Sequence, residues 1–274
     1  VPRKQDFQVK AVLFTPSTDA VERPVRSLHF SIRNSLNYTI CRILSLKDGC
    51  RQLSAHVGRI LVWFLDLNRE IRPGDQINMV YEIFENKDRF HILGLRYNSG
   101  YHKKMFEANF YQVPGRRYGS YFDRTGREIH PNLVDSQSPI RDFIEITSLP
   151  GDYRKGRFQG HQGTDFKAPI GTSVYAAFKG KVTRRNWNTR SNGYSLEIDH
   201  PDKRVKTRYL HLSRIFVKRG DTVRQGQKIA ECGNSGRSFA PHLHYEIEQY
   251  GSQKKLLNPF KTDKHKVFYR YIPD

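Results

Sequence analysis

The sequence predicts a multidomain α+β chain, in which an N-terminal α+β region at residues 1–130 precedes a mainly antiparallel, all-β domain at residues 131–274. Two observations support this division. Apolar residues recur with a helical period within residues 53–67, whereas the second half shows short strand patterns separated by glycine-rich turns. Residues 123–139 are polar and interrupted by glycine and proline, which is typical of a connection between domains.

The N-terminal region is expected to combine one helix with several strands. The helix of residues 53–67 ends before the turn that Pro73 and the following glycine impose. Two candidate submodules lie in this region, at residues 1–50 and 51–130. The first is expected to consist of short extended stretches. Strand patterns lie at residues 7–14, 28–32, 77–84, 90–96 and 104–113.

The second domain is expected to be a β-barrel or β-sandwich. Its strand patterns are short, its turns are rich in glycine, and no helical period of useful length is present. The clearest patterns lie at residues 174–177, 194–198 and 242–248.

The composition excludes a chain that is disordered throughout, because 37% hydrophobic and 12% aromatic residues are enough for a core. Lys and Arg number 47 against 27 Asp and Glu, so the net charge is +20. This charge predicts a polyanionic neighbour, either a nucleic acid, an anionic membrane surface or an acidic cell envelope. No apolar run approaches the roughly 20 residues that a membrane-spanning helix needs.

The three cysteines have neither the number of a disulfide scaffold nor the spacing of a zinc finger. Cys41 and Cys50 are close enough in sequence to form a small disulfide loop in an oxidising compartment, and the spacing leaves open whether they do. The chain opens with Val1-Pro2, without an initiating Met or an apolar secretory segment. We expect a mature or trimmed chain, so the missing signal segment does not argue for the cytoplasm.

Two histidine patterns stand out among the eleven histidines. His161 and Asp165 lie four residues apart around a glycine, and His242 and His244 lie two residues apart in a strand pattern. Side chains at i and i+2 of a strand share one face, so His242 and His244 project together. His211, in a third strand pattern, is a further candidate for the same site.

These residue types suit a catalytic zinc site. Two imidazoles and a carboxylate are ligands that Zn²⁺ accepts, and a catalytic site keeps a fourth position for water. Each pattern alone is ambiguous, because a single histidine is more often a surface residue or a satisfied core residue. Their combination in one β-rich domain makes the prediction specific.

Three motifs occur in the order of the lysostaphin/LytM zinc peptidase family, which residues 146–260 resemble. HQGTDF at 161–166, followed by APIGT at 168–172, is similar to its first motif, and YLHLS at 209–213 to its middle one. GNSGRS at 233–238 and PHLHYE at 241–246 are similar to the last. More weakly, residues 64–75 and 121–127 resemble the accessory region of Gram-negative envelope members, which cleave peptide cross-links in peptidoglycan.

The resemblance implies roles for five residues. His161, Asp165 and His244 would be the zinc ligands, and His211 and His242 would handle protons and polarise the scissile carbonyl. Zinc lowers the pKa of a bound water to about 7, for which a neutral histidine is a suitable base. On the same strand face, Glu246 is expected to orient a ligand.

The resemblance further implies a zinc metallo-endopeptidase in the periplasm or cell envelope, with peptidoglycan as substrate. It favours D-alanyl–diaminopimelate bridges over glycine bridges. The basic segment 179–190 would attract stem-peptide carboxylates and other anionic envelope polymers. The N-terminal region would regulate the site, and a regulatory partner protein is expected as a further component. A non-catalytic envelope-binding protein or hydrolase activator is the alternative. A nucleic-acid-binding protein has only the charge in its favour, and no nucleic acid is expected.

Overall fold

The computed structural model describes residues 23–44, 49–84, 90–153, 160–251, 253 and 255–273. The strand expected at residues 7–14 lies outside this range. Within the described residues the α-helices are α1 (Leu36–Ile43), α2 (Cys50–Leu61) and α3 (Thr189–Asn192), and Pro201–Lys203 form a 3₁₀ turn. The strands are β1 (Val25–Ser31), β2 (Gln76–Ile83), β3 (Phe90–Ser99), β4 (Lys104–Tyr111), β5 (Ser120–Phe122), β6 (Asn132–Leu133), β7 (Glu145–Ser148), β8 (Thr164–Lys167), β9 (Ser173–Tyr175), β10 (Gly180–Arg185), β11 (Tyr194–His200), β12 (Val205–Ile215), β13 (Thr222–Val223), β14 (Lys228–Cys232), β15 (His242–Gln249), β16 (Lys255–Leu256) and β17 (Val267–Phe268).

The first sheet is antiparallel and has the strand order β1-β2-β3-β4-β5. Its strands alternate between buried and accessible side chains, as a sheet with one covered face requires. On β2 the buried residues are Ile77, Met79 and Tyr81. Helices α1 and α2 contribute Ile40 and Leu53 to the same hydrophobic cluster. Residues on either side of position 50 therefore share one core.

Two details of the predicted helical content are wrong. The sequence suggested extended structure throughout residues 1–50, but residues 36–43 form a helix, which Ser35 caps through a 3.1 Å hydrogen bond from the Tyr38 N–H to its Oγ. Helix α2 begins at Cys50 and ends at Leu61, whereas the prediction ran from 53 to 67. The apolar stripe continues past the helix because the following turn also buries side chains. Cys41 and Cys50 form a disulfide that joins the two helices.

The second sheet confirms the expectation of a mainly antiparallel β structure. It has ten strands, with the main order β13-β10-β11-β12-β15-β8-β7, and β14, β9 and β16 joined to it. The α-helical content of residues 160–251 is the single turn α3. Strand β15 lies between β12 and β8, so both of its neighbours carry residues that the sequence analysis selected.

Ile129 belongs to the hydrophobic cluster of the first sheet and Leu133, four residues later, to that of the second. Trp63, which follows α2, packs against both clusters. Its ring centroid is 5.5 Å from that of Phe260 and 5.4 Å from that of His130. The two sheets are thus in direct contact through an aromatic residue of the first half. Within the described residues, no helix has the length and apolar character needed to cross a bilayer.

Candidate metal centre

Strands β8 and β15 bring two of the predicted ligands together. The strands are antiparallel, and their register places Asp165 directly opposite His244. Such cross-strand pairs have Cβ atoms about 5 Å apart on one face of the sheet. On β15, Leu243 and Tyr245 are buried in the core, at 0% and 1% exposure. His242 and His244 therefore share the opposite face, as the strand period predicted.

His161 reaches the same point from the loop that precedes β8. Its N–H donates to the Asp152 carbonyl at 2.8 Å. This close approach depends on Gly160, which has φ +67°, because a Cβ at that position would lie 2.7 Å from the carbonyl oxygen of Gly151. The ring Nδ1 of His161 lies 3.3 Å from the Leu149 carbonyl oxygen. A proton on Nδ1 satisfies that carbonyl and leaves the Nε2 lone pair directed at the cluster.

Three ligand side chains converge in an arrangement that fits zinc. His161 Nε2 lies 3.2 Å from His244 Nδ1 and 3.2 Å from Asp165 Oδ2, and His244 Nδ1 lies 2.8 Å from Asp165 Oδ1. Ligand atoms bound tetrahedrally to Zn²⁺ at 2.0–2.1 Å are about 3.3 Å apart. The donor set and its spacing therefore match Zn²⁺ after a small outward movement of one pair.

The charges in this cluster are strongly coupled. Burial acts to raise the pKa of Asp165, but its contacts with the His161 and His244 imidazoles hold that pKa far below its usual range. Burial acts to lower the pKa of His244, but hydrogen bonds to Asp165 and Glu246 overcome this and raise it to about 9. Without metal, His244 thus carries a proton between two carboxylates at neutral pH. Metal binding must displace the proton on Nδ1.

His211 joins the site because of a backbone irregularity in β12. Tyr209 is fully buried, so a regular strand would turn the side chain two residues later toward the core as well. His211 instead has φ +62°, a left-handed conformation that is uncommon outside glycine. Its ring lies 4.8 Å from that of His242 and 6.0 Å from that of His244, centroid to centroid. The irregularity therefore redirects one imidazole into the site.

Backbone carbonyls orient the two remaining rings. His211 Nδ1 lies 2.9 Å from the Ser235 carbonyl oxygen, and His242 Nδ1 lies 2.8 Å from that of Ala240. Donation from Nδ1 leaves Nε2 of each ring as the group available to the site, a tautomer inferred from the hydrogen-bond network. Burial lowers the pKa of His211 to about 4, so this ring is neutral at physiological pH.

Glu246 contacts a ligand in the manner expected from its strand face. Its Oε1 lies 3.1 Å from His244 Nε2, on the side of the ring opposite Asp165. Metal-binding histidines commonly donate their second ring N–H to such a carboxylate.

Comparison with known proteins assigns the region around this site. Residues 159–259, which include all five site residues, match peptidase family M23.

The chain carries an M23 peptidase domain.

Several known proteins are similar to parts of this chain. The peptidoglycan DD-endopeptidase ShyC of Vibrio cholerae is 34% identical over 201 residues, which are 70% of this chain and 44% of that protein. Lysostaphin of Staphylococcus simulans is 40% identical over 86 residues, which are 31% of this chain and 17% of lysostaphin. The chain thus spans less than half the length of these curated relatives. Among solved structures, a zinc-containing peptidase from Vibrio cholerae is 27% identical and has a TM-score of 0.41, with 88% of this chain and 72% of that one covered.

The sequence analysis missed several groups that shape the M23 site. The carbonyls of Leu149, Ser235 and Ala240 orient three imidazoles, and backbone atoms leave no signal in residue type. Arg208 was also missed, although it contacts Glu246 at 2.9 Å. A signal for it existed, because Glu246 and Glu248 share one face of β15, and two carboxylates that are buried and half-buried there require a cation.

Proposed function

We propose that this chain is a zinc metallo-endopeptidase that hydrolyses the peptide cross-links of peptidoglycan, with D-alanyl–diaminopimelate bridges as its substrate. The observation that carries the proposal is the convergence of a zinc-type ligand set with two further imidazoles on one face of the M23 domain. The names of its relatives support the substrate class, since ShyC is a peptidoglycan DD-endopeptidase.

In this proposal His161, Asp165 and His244 hold the zinc ion. Bound there, Zn²⁺ supplies Lewis acidity, lowering the pKa of a coordinated water to about 7 and polarising a carbonyl. Asp165 stays ionised at every relevant pH because the neighbouring imidazoles keep its pKa low. Its negative charge therefore remains available to stabilise a bound Zn²⁺ ion between the His161 and His244 rings.

The other two imidazoles handle protons. His211 is neutral, its Nδ1 is committed to Ser235, and its Nε2 is the site-facing acceptor. It takes the proton from the attacking water as general base. His211 then passes that proton to the leaving amine. His242 Nδ1 is held by the Ala240 carbonyl at 2.8 Å and by Ser238 at 3.1 Å, and a proton on its Nε2 would stabilise the developing oxyanion.

The basic segment 179–190 borders the site and suits an anionic wall polymer. Residues 191–194, which follow this segment, pack on the loop that orients His211. The Tyr194 N–H donates to Ser235 Oγ, and the Arg237 N–H donates to the Ser191 carbonyl, both at 2.9 Å. The Arg184 guanidinium lies 4.5 Å from the centroid of the Trp187 ring, a cation–π contact. Stem-peptide carboxylates entering the site meet this positive surface, which fits a cell-envelope or periplasmic protein.

Residues 1–130 act in this proposal as an accessory region that is attached to the peptidase domain 131–274. Arg59 of α2 forms a 3.0 Å ion pair with Glu145 of β7, and Glu145 also binds Lys167 at 2.9 Å. Lys167 lies two residues after Asp165 on β8. These ion pairs link α2 to the strand that carries a zinc ligand, and this link supports a regulatory role.

The test combines the metal content of the purified chain with analysis of the muropeptides released from sacculi. We expect about one zinc per chain and the loss of cross-linked dimers, with products that identify the bond. Asp165→Ala is expected to lose both zinc and activity. Stoichiometric zinc without any product from sacculi would refute the endopeptidase and leave a binding or activating role. No zinc in the unmodified chain would refute the metal centre as well.

A further inference from the structure

The M23 site is joined to a row of ion pairs that crosses three strands beneath it. Glu197 of β11 lies opposite Arg208 of β12, which lies opposite Glu246 of β15. Arg208 Nε donates to Glu197 at 2.8 Å, and its Nη1 donates to Glu246 at 2.9 Å and to Glu248 at 2.8 Å. The two carboxylates nearest the core are 3% and 6% exposed. Such buried charges hold fixed positions because each must keep its partner.

Arg208 determines which carboxylate oxygen Glu246 presents to His244. A guanidinium has only donors, so it engages one carboxylate oxygen, Oε2, as an acceptor. The other oxygen, Oε1, is then directed at His244 Nε2. An acceptor at that position requires the ring proton on Nε2. A singly protonated ring consequently has its lone pair on Nδ1, the atom that faces Asp165 and His161.

We propose that Arg208 is a positioning residue which, through Glu246, fixes the tautomer of His244 that leaves Nδ1 free for zinc. The inference rests on the function proposed above and adds to it the chain of contacts Arg208–Glu246–His244. This series of contacts predicts where the ring proton of His244 lies when Glu246 is replaced by a neutral amide. The reason is that an amide has one donor end and one acceptor end.

The decisive variant is Glu246→Gln. The Arg208 guanidinium binds the amide oxygen, so the amide NH₂ points at His244 Nε2. That nitrogen must then accept, and the ring proton moves to Nδ1, where it blocks the metal. Loss of such partners commonly costs 10–100-fold in metal affinity, and we expect zinc affinity to fall within this range. The shape of the side chain is almost unchanged.

Glu248→Gln is the matched control. It makes the same chemical change on the same strand face and on the same arginine, but four residues from His244. We expect its zinc affinity to stay within about threefold of the unmodified chain, well below the loss at Glu246. Arg208→Lys keeps the charge without the planar fork, and a smaller loss than that of Glu246→Gln is expected.

Chelator competition with Zn²⁺ on the full chain measures affinity, and Co²⁺ titration followed by absorption measures geometry. At saturating Co²⁺ the Glu246→Gln spectrum should match the unmodified one, because the ligands are intact and only their occupancy has changed. Melting of the metal-free variants shows whether each is folded. Equal losses in Glu246→Gln and Glu248→Gln, or no loss in the first, would overturn the inference. Selective loss in a chain that releases nothing from sacculi would leave the inference standing and remove the endopeptidase.

Discussion

Gly163 offers a sharp test of the site geometry, because it lies between His161 and Asp165 and its hydrogen occupies space that a methyl group cannot. A Cβ at this position would lie 2.8 Å from His244 Nε2 and 2.5 Å from the Tyr245 carbonyl oxygen. Ordinary contact begins at 3.4 Å, so Gly163→Ala requires the imidazole to withdraw by about 0.6 Å, the difference between 3.4 and 2.8 Å. The backbone of β15 must also move.

Overpacking of this kind costs about 1–3 kcal/mol, which corresponds to a factor of roughly 5 to 150 in an equilibrium constant. The movement displaces His244 from the position in which its Nδ1 faces Asp165, so the loss should appear in zinc affinity, measured by chelator competition. Gly58→Ala is the control, since Gly58 lies inside α2 and the new Cβ would meet only Leu67 Cδ1 at 3.6 Å. That change should stabilise the fold by about 0.5–1 kcal/mol. Undiminished zinc affinity in Gly163→Ala would show that the placement of His244 against residues 161–165 is wrong.

Three further outcomes are expected. His211→Ala should retain stoichiometric zinc but lose about 10²–10⁴-fold in turnover of wall peptides, and full activity would remove this ring from the mechanism. Because the pKa of His244 is raised to about 9 in the metal-free chain, protons compete with zinc below that pH. The apparent Kd for zinc should therefore rise about tenfold for each unit of pH lowered from 8.5 to 7, and a flat profile would contradict the proton displacement. Replacing Cys41 and Cys50 with Ala opens a short loop and should lower the free energy of unfolding by about 2–3 kcal/mol, measured by urea titration, with no effect on zinc content at low urea.

Local patterns predicted the parts of this protein that depend on strand period. The alternation in residues 242–248 was sufficient to place His242 and His244 on one face and Leu243 in the core, because a strand repeats every two residues. Strand patterns also predicted β1 to β4 of the first sheet, but the clearest patterns of the second half located only β9, β11 and β15 of the ten strands of the second. Helix α1 was missed because its sequence contains residues such as Thr39 and Ile40 that favour strands locally. Burial of Ile40 in the helix–sheet core overrides that preference.

The site itself could be predicted only in part. The residue patterns supplied the five candidates and the resemblance supplied their roles, which remain predictions. The position of His211 depends on a left-handed residue within a strand, which a period-two pattern cannot indicate. Arg208 lies 38 residues from Glu246 in the sequence, and only the pairing of β12 with β15 brings them together. Contacts that depend on register across a sheet are therefore beyond the reach of local pattern.

The backbone conformation of His211 also bears on how this protein responds to selection. A left-handed residue other than glycine is held at a cost of order 1 kcal/mol, which the surrounding sheet must sustain. Glycine or asparagine at position 211 would adopt the same φ with less strain, yet neither has an imidazole. A library of variants screened for heat resistance alone should thus drift toward these two residues at 211. Such a substitution would raise thermal resistance and lower turnover at the same time. Screens for a more heat-resistant enzyme should therefore keep His211 unchanged.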